Sequence, residues 1–291
     1  MIAWPAIFLL WLLHGLPLGI QARLGNALGS LLYRLAGRRK RIGRTNLQLC
    51  FPEWTDEKKE RVLRDHFRAV TRAALEHGML WWSSAERINR LVRFEGLEHF
   101  LPLRGKPLIL LAPHFIGLDM GGVRLTTEYA PFVSMYSRLR NRQFDRLMLR
   151  ARTRFGQARL ISRHEGVRPL LAEMKQGRAL YYLPDQDFGA RDAVFAPFFG
   201  IPAATVNALP RLARLTGAAV VPAITRQLPG GQGYVLRFYP AWKDFPGKDL
   251  QADIARMNAF IEDRVREMPE QYFWLHKRFK TRHEGQPSLY D

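Results

Sequence analysis

The chain has 291 residues, 47% of them hydrophobic and 24% charged, a composition that excludes a disordered, collagenous or polytopic membrane protein. Its one cysteine, Cys50, excludes a disulfide framework and a cysteine-cluster metal site. The 45 Lys and Arg against 26 Asp and Glu leave a formal charge of +19, so the expected partners are anionic: nucleic acid, an acidic protein or an anionic lipid.

At the N-terminus Met1 to Gln21 carries no charged side chain, and the first acid is Glu53. As one helix, Ile2 to Ile20 would be roughly 29 Å long, close to the ~30 Å hydrocarbon core of a bilayer. A cleavable signal peptide fits poorly, because the basic cluster Arg38–Arg44 follows the apolar stretch rather than preceding it. The same cluster places the rest of the chain on the cytoplasmic side. Residues 1–22 are therefore expected to form a transmembrane or interfacial anchor, with a buried helix of the globular domain as the alternative. The basic segment 23–52 is too short in its apolar run (Leu24 to Ala36) to span and is expected at the membrane interface.

Beyond Glu53, Thr55-Asp56-Glu57 is a helix start, a capping hydroxyl followed by acids, and Leu63, Phe67, Val70 and Ala74 carry the helical period to about Trp82. Apolar runs at Leu108–Pro113, Phe132–Tyr136, Arg159–Ser162, Ala179–Pro184, Ala218–Thr225 and Tyr234–Tyr239 predict strands. Helical segments near 117–128, 143–155, 166–176 and 205–216 separate them, and Leu250 to Met268 predicts a late amphipathic helix. Alternation of this kind predicts a single α/β layered domain on a largely parallel sheet with flanking helices.

No G-x-S-x-G elbow, Walker loop, H-E-x-x-H or strand-following G-x-G-x-x-G is present. Instead the strand Pro107–Pro113 ends at His114, and Asp119 follows across Gly117. The carboxyl end of a strand in an open α/β sheet is where ligands bind. A strand-to-helix turn could fold Asp119 back onto the His114 ring, holding one nitrogen protonated and freeing the other as a base. On spacing alone, a histidine packed at a turn beside a helix-start acid explains the pattern as well.

Further blocks accompany it. Ala158-Arg-Leu-Ile-Ser-Arg163 precedes Tyr182-Leu-Pro-Asp185-Gln-Asp187-Phe-Gly189, and Val220-Val-Pro222-Ala-Ile and Pro269-Glu-Gln-Tyr-Phe-Trp-Leu-His276-Lys-Arg-Phe-Lys-Thr-Arg282 follow. With H-x4-D after an apolar strand, the chain resembles the glycerolipid-type, lysophospholipid-acyltransferase-like superfamily. Its third block, P-D-x-D-x-G in place of F-P-E-G, and its C-terminal run resemble the bacterial lipid A late acyltransferases over about residues 1–290. The lauroyltransferase type is the nearest in pattern, although it often has Glu where this chain has Asp119.

That resemblance implies an acyltransferase domain over 53–291 at the cytoplasmic face of the cell inner membrane, acting in lipopolysaccharide biosynthesis. It implies an acyl carrier protein thioester as donor, the hydroxyl of a 3-hydroxyacyl chain on a lipid A precursor (di-Kdo lipid IV-A) as acceptor, and no cofactor or metal. A fatty acyl chain such as laurate would be transferred directly, since a thioester is already activated. An alcohol attacking it must lose a proton, so His114 is the expected general base and Asp119 its orienting carboxylate. Arg163 would bind phosphate or developing negative charge. Asp185 and Asp187 would position substrate, or else close a strand-end turn.

Arg138, Arg142, Arg146, Arg150 and Arg154 recur every four residues, with Arg140 and Arg152 beside them. On a helix the five form one slowly winding basic face. Arg142, Arg146 and Arg150 are its expected core, docking an acidic acyl carrier or acceptor phosphates, with a solvated helix face as the alternative. His14, His66, His77, His99, His164 and His283 show no ligand-like grouping and are expected to pack or to face solvent. His276 and the Trp81-Trp82 pair are also explained by packing. An acyltransferase for another anionic lipid remains the rival enzyme, and a basic nucleic-acid-binding protein the rival class, with charge alone in its favour.

Overall fold

The computed structural model describes residues 3–290. The apolar N-terminus is two helices rather than one, α1 (Ala3–His14) and α2 (Leu18–Leu35), with Pro17 at the break. Pro17 removes a backbone donor at the point where a continuous helix would need one. No helix among the described residues is long and apolar enough to cross a membrane, which corrects the expectation of a transmembrane helix over residues 2–20.

Helix α3 (Gly37–Cys50) carries the basic cluster, and α4 (Asp56–Trp82) starts where expected, with the Thr55 hydroxyl accepting from Lys58 N–H. A short α5 (Ala85–Leu91) leads into β1 (Val92–Glu95). Then come β2 (Leu108–Leu111), α6 (Leu118–Glu128), β3 (Phe132–Tyr136), α7 (Arg142–Thr153), β4 (Arg159–Ser162), α8 (Arg168–Lys175) and β5 (Ala179–Tyr182). A hairpin, β6 (Ala193–Phe198) and β7 (Ile201–Val206), stands apart from the main sheet. Helix α9 (Ala208–Thr216), β8 (Ala219–Gln227), β9 (Tyr234–Phe238) and α10 (Leu250–Glu267) complete the elements.

The main sheet has the order β1-β9-β8-β2-β5-β3-β4. Strands β8, β2, β5, β3 and β4 are parallel, whereas β9 runs antiparallel to β8 and carries β1 parallel to itself. Side chains of β2 alternate between two apolar cores. Ile109 and Leu111 join one with residues of α8, α9 and α10; Leu108 and Leu110 join the other with residues of α6 and Trp81 of α4. Both faces of the parallel strands are thus covered, the condition under which strands become continuous apolar runs.

The connections place a crevice. From β2 the chain crosses through α6 to β3 on one side; from β5 it passes through the hairpin and α9 to β8 on the other. Neighbouring strands β2 and β5 therefore send their chains in opposite directions, which opens a gap beyond their carboxyl ends.

Helix α2 packs on α4 through Gly25 and Gly29, where an added Cβ would lie 2.5 and 2.6 Å from the Cα atoms of Arg72 and Arg68. With that side inward, Leu24, Leu28, Leu31 and Leu35 are exposed on the outer face, as are Trp4, Phe8 and Trp11 of α1. Below this layer Arg72 and Glu76 of α4 form a buried ion pair at 2.6 Å, tied to Leu228, just beyond β8, and to Tyr234 of β9.

His66 joins α4 to the C-terminal segment: it is fully buried, Nδ1 donates to Glu270 O at 2.9 Å, and Nε2 has no partner. Protonating Nε2 would bury an unpaired donor, so burial pushes the imidazole down to about 4. Between pH about 6.5 and about 4 the unfolded chain then binds a proton that the native one does not, and stability falls with pH, by about 3 kcal/mol across the window from this group. Urea unfolding at several pH values should show that slope, flattened in His66→Asn; an unchanged slope in the variant would contradict the assignment.

Candidate active site

His114 stands three residues beyond β2, and Asp185 three residues beyond β5, so the two meet across the crevice. Asp185 is 2% exposed, and its carboxylate accepts the His114 backbone N–H at 3.1 and 3.0 Å. Its Oδ1 also lies 2.7 Å from His114 Nδ1. Burial alone would raise the Asp185 pKa, but the His114 ring and its hydrogen bonds outweigh it and hold the carboxyl below its usual range. An ionised carboxylate only accepts, so Nδ1 carries a proton, and in the neutral ring Nε2 presents its lone pair. The ring is 20% exposed, enough for a substrate hydroxyl to reach Nε2.

This arrangement corrects one expectation. Asp119 does not orient His114. It sits in the first turn of α6, where Oδ1 accepts from Arg152 Nε at 2.8 Å and Nη2 at 2.7 Å, and Oδ2 lies 3.2 Å from His77 Nε2. Burial opposes ionisation of Asp119, yet the guanidinium of Arg152 and the His77 ring hold its pKa far below the usual carboxylate range. His77 is correspondingly raised: burial lowers it, but the bond to Asp119 and that to Ala73 O prevail. The five-residue spacing failed because Gly117 ends the turn and α6 carries Asp119 toward α4 and α7.

The third block takes the form of the alternative reading, a strand-end turn closed by local bonds. Asp185 is engaged by His114, and Asp187, 3% exposed, accepts from Thr281 N at 2.6 Å, Thr281 Oγ1 at 2.7 Å and Gly189 N at 2.9 Å. The Asp187 N–H donates to His276 Nε2 at 2.9 Å, and burial lowers the His276 pKa to about 4. His276 is thus a neutral acceptor lining the same cavity as His114 and Asp185. Asn46 of α3 donates to the carbonyls of Trp274 and His276 at 2.7 and 2.8 Å, so the C-terminal run is clamped over the crevice.

Arg163 is exposed beyond β4, its guanidinium 4.6 Å over the Phe188 ring, which puts the second block beside the third. Arg142, Arg146 and Arg150 are exposed on α7, but Arg152 is spent on Asp119, and Arg154 donates to Trp81 O at 2.5 Å. The basic face is therefore shorter than the five-residue repeat. Sequence reasoning missed His77 and Arg152 as partners of Asp119, since neither sits at a motif spacing and the repeat of arginines masked Arg152; Thr281 lies inside the C-terminal block, but its bond to Asp187 is not visible along the chain.

Comparison with known proteins gives the family. The model of the family described as bacterial lipid A biosynthesis acyltransferase matches residues 1–281. The chain belongs to that family. It is an acyltransferase of lipid A biosynthesis. It is 35% identical to the lipid A biosynthesis lauroyltransferase of Escherichia coli K12, over 99% of this chain and 94% of the relative. A lipid A biosynthesis acyltransferase of Haemophilus influenzae is also 35% identical, over 99% and 90%. The palmitoleoyltransferase of Escherichia coli K12 is 33% identical, over 99% and 94%. Relatives named for different acyl chains lie at nearly equal identity, so overall likeness does not select a chain length.

The geometry separates the two carboxylates functionally. Asp185→Asn removes the ionised acceptor that fixes the His114 tautomer and should lower kcat by about 10²–10⁴-fold with little change in KM. Asp119→Asn weakens the clamp on Arg152 and should alter KM as well. Equal kcat losses with KM unchanged in both would contradict the division.

Proposed function

We propose that this acyltransferase moves a fatty acyl chain, laurate or one of similar length, from an acyl carrier protein thioester to the 3-hydroxyl of an acyl chain on di-Kdo lipid IV-A, with His114 as general base. The observation that carries this reading is the free Nε2 of His114, held in one tautomer by Asp185 at the mouth of the crevice. As the acceptor hydroxyl oxygen attacks the thioester carbonyl, its proton passes to Nε2. The tetrahedral intermediate then expels the thiolate, which recovers that proton from the imidazolium. No enzyme nucleophile takes part. Cys50 is buried in the core, and burial pushes its thiol well up.

The remaining charges fit anionic partners. Arg163, beside the third block, suits an acceptor phosphate. Arg142, Arg146 and Arg150 on α7 suit an acidic carrier. The outward leucines of α2, next to Arg23 and Arg34 and the basic α3, suit a monolayer of anionic headgroups at the cytoplasmic face of the inner membrane, with α1 and α2 lying in the interface.

Purified enzyme in detergent, given di-Kdo lipid IV-A with a lauroyl carrier thioester or a lauroyl coenzyme A thioester, should add one acyl mass from the carrier donor preferentially. His114→Ala should lose about 10²–10⁴-fold in rate. Near-normal turnover of the variant would remove His114 from the chemistry. Equal use of the two donors would remove the carrier.

A further inference from the structure

Arg278, in the C-terminal run, is a permanent cation buried beside the reacting histidine. It is 2% exposed and lines the same cavity as His114, Asp185 and His276. Nη1 donates to Ala204 O at 2.9 Å and Nη2 to Thr205 Oγ1 at 2.8 Å, both on β7, while Nε is buried without a partner. Its neighbours are thus a carbonyl, a hydroxyl and the Phe198 ring at 5.1 Å, with no carboxylate among the described residues bonded to it. A neutral amide could serve those two acceptors, whereas an unpaired guanidinium is costly to bury. Its charge calls for a counter-charge nearby.

The carboxylate that lines the cavity is Asp185. It is itself 2% exposed, and its oxygens are turned to the His114 amide and ring, at 2.7 to 3.1 Å. Asp185 and Arg278 therefore act on each other through the field, without a shared hydrogen bond, where water screens little. Burial raises the Asp185 pKa, the His114 ring and its bonds lower it, and Arg278 adds to the lowering.

The other titratable groups around the pair are neutral or engaged elsewhere. Burial pushes up the hydroxyls of Tyr182 on β5 and Tyr272 on the C-terminal run, and likewise the thiol of Cys50 on α3. It lowers His276 to about 4. Asp187 is taken up by Thr281 and Gly189.

We propose that Arg278 is a positioning residue for the acyl transfer: its buried charge balances Asp185 across the cavity, so that the Asp185–His114 pair holds no extra proton and His114 is free as the base. The proposal rests on the general-base reading above. Without Arg278 the pair would carry an uncompensated negative charge in a low dielectric. It would then take up a proton, leaving His114 an imidazolium with no lone pair to offer.

The pH dependence of kcat/KM for the purified enzyme reads this directly, since the base must be unprotonated. In Arg278→Gln the acid limb should move to higher pH by about one unit or more, with activity recovering as the pH is raised. Arg278→Lys keeps the charge and loses the fork, so turnover should fall while the limb stays where it is. Thr205→Val removes the Nη2 acceptor and leaves the charge, and should not move the limb either. A lower rate in Arg278→Gln with an unmoved limb, or an equal shift in Arg278→Lys or Thr205→Val, would mean that Arg278 only packs the hairpin and would overturn the proposal. If Arg278→Gln is too unstable to assay, urea unfolding decides. Adding Asp185→Asn removes the partner charge and should restore part of the lost stability, whereas additive losses would overturn the proposal. Near-normal turnover of His114→Ala would instead refute the reading on which it rests.

Discussion

The Asp185 carboxylate accepts both the backbone amide and the ring Nδ1–H of His114, and the site is arranged around that contact. The two residues are 71 positions apart in sequence, and the register of β2 with β5 (Leu111 beside Tyr182) brings the ends of the two strands level. A buried carboxylate that lost its partner would be strongly destabilising, so the contact constrains the fold as much as the chemistry. The surroundings hold it from three further directions. Asp187 is pinned by Thr281, His276 accepts from the Asp187 amide, and Asn46 fixes the carbonyls of Trp274 and His276. The C-terminal run and α3 therefore bear on a crevice to which neither belongs in sequence.

The second carboxylate is held in a separate cluster. Asp119 is placed between Arg152 and His77, joining the start of α6 to α7 and α4. Two opposite charges beside it compensate its burial and leave it ionised, as the His114 ring and amide do for Asp185. The division of labour follows from direction. One carboxylate faces His114 across the crevice, and the other fixes Arg152 of α7 against the start of α6.

Much of the fold was legible because its strands obey simple patterns. Phe132–Tyr136 and Arg159–Ser162 are short apolar runs between turns, and their predicted limits match the observed strands. The hairpin β6–β7 was not legible as strands. Pro197 and Pro202 lie opposite one another in its ladder, and proline in a run argues against a strand. β1 is a four-residue edge strand, too short for its alternation to stand out. At the site, the position of His114 after an apolar strand was readable, and so was the placement of the third block after the next strand of the motif series. The partner of His114 was not. Spacing along the chain pointed to Asp119, whereas topology delivers Asp185, and the sequence does not display which two strands lie side by side. The apolar N-terminus was half legible: its composition is as read, but Pro17 divides it into helices that lie along the protein, with the small-residue side of α2 on α4 and the leucines outward.

The claim on which the catalytic account stands is the tautomer of His114. Selective ¹⁵N labelling of histidine, with His114 assigned by substitution, reads it directly from the ring nitrogen shifts. The account predicts that the neutral ring carries its proton on Nδ1 rather than Nε2, a preference lost in Asp185→Asn and retained in Asp119→Asn. A neutral wild-type ring with its proton on Nε2, or a preference lost with Asp119 and kept without Asp185, would contradict it.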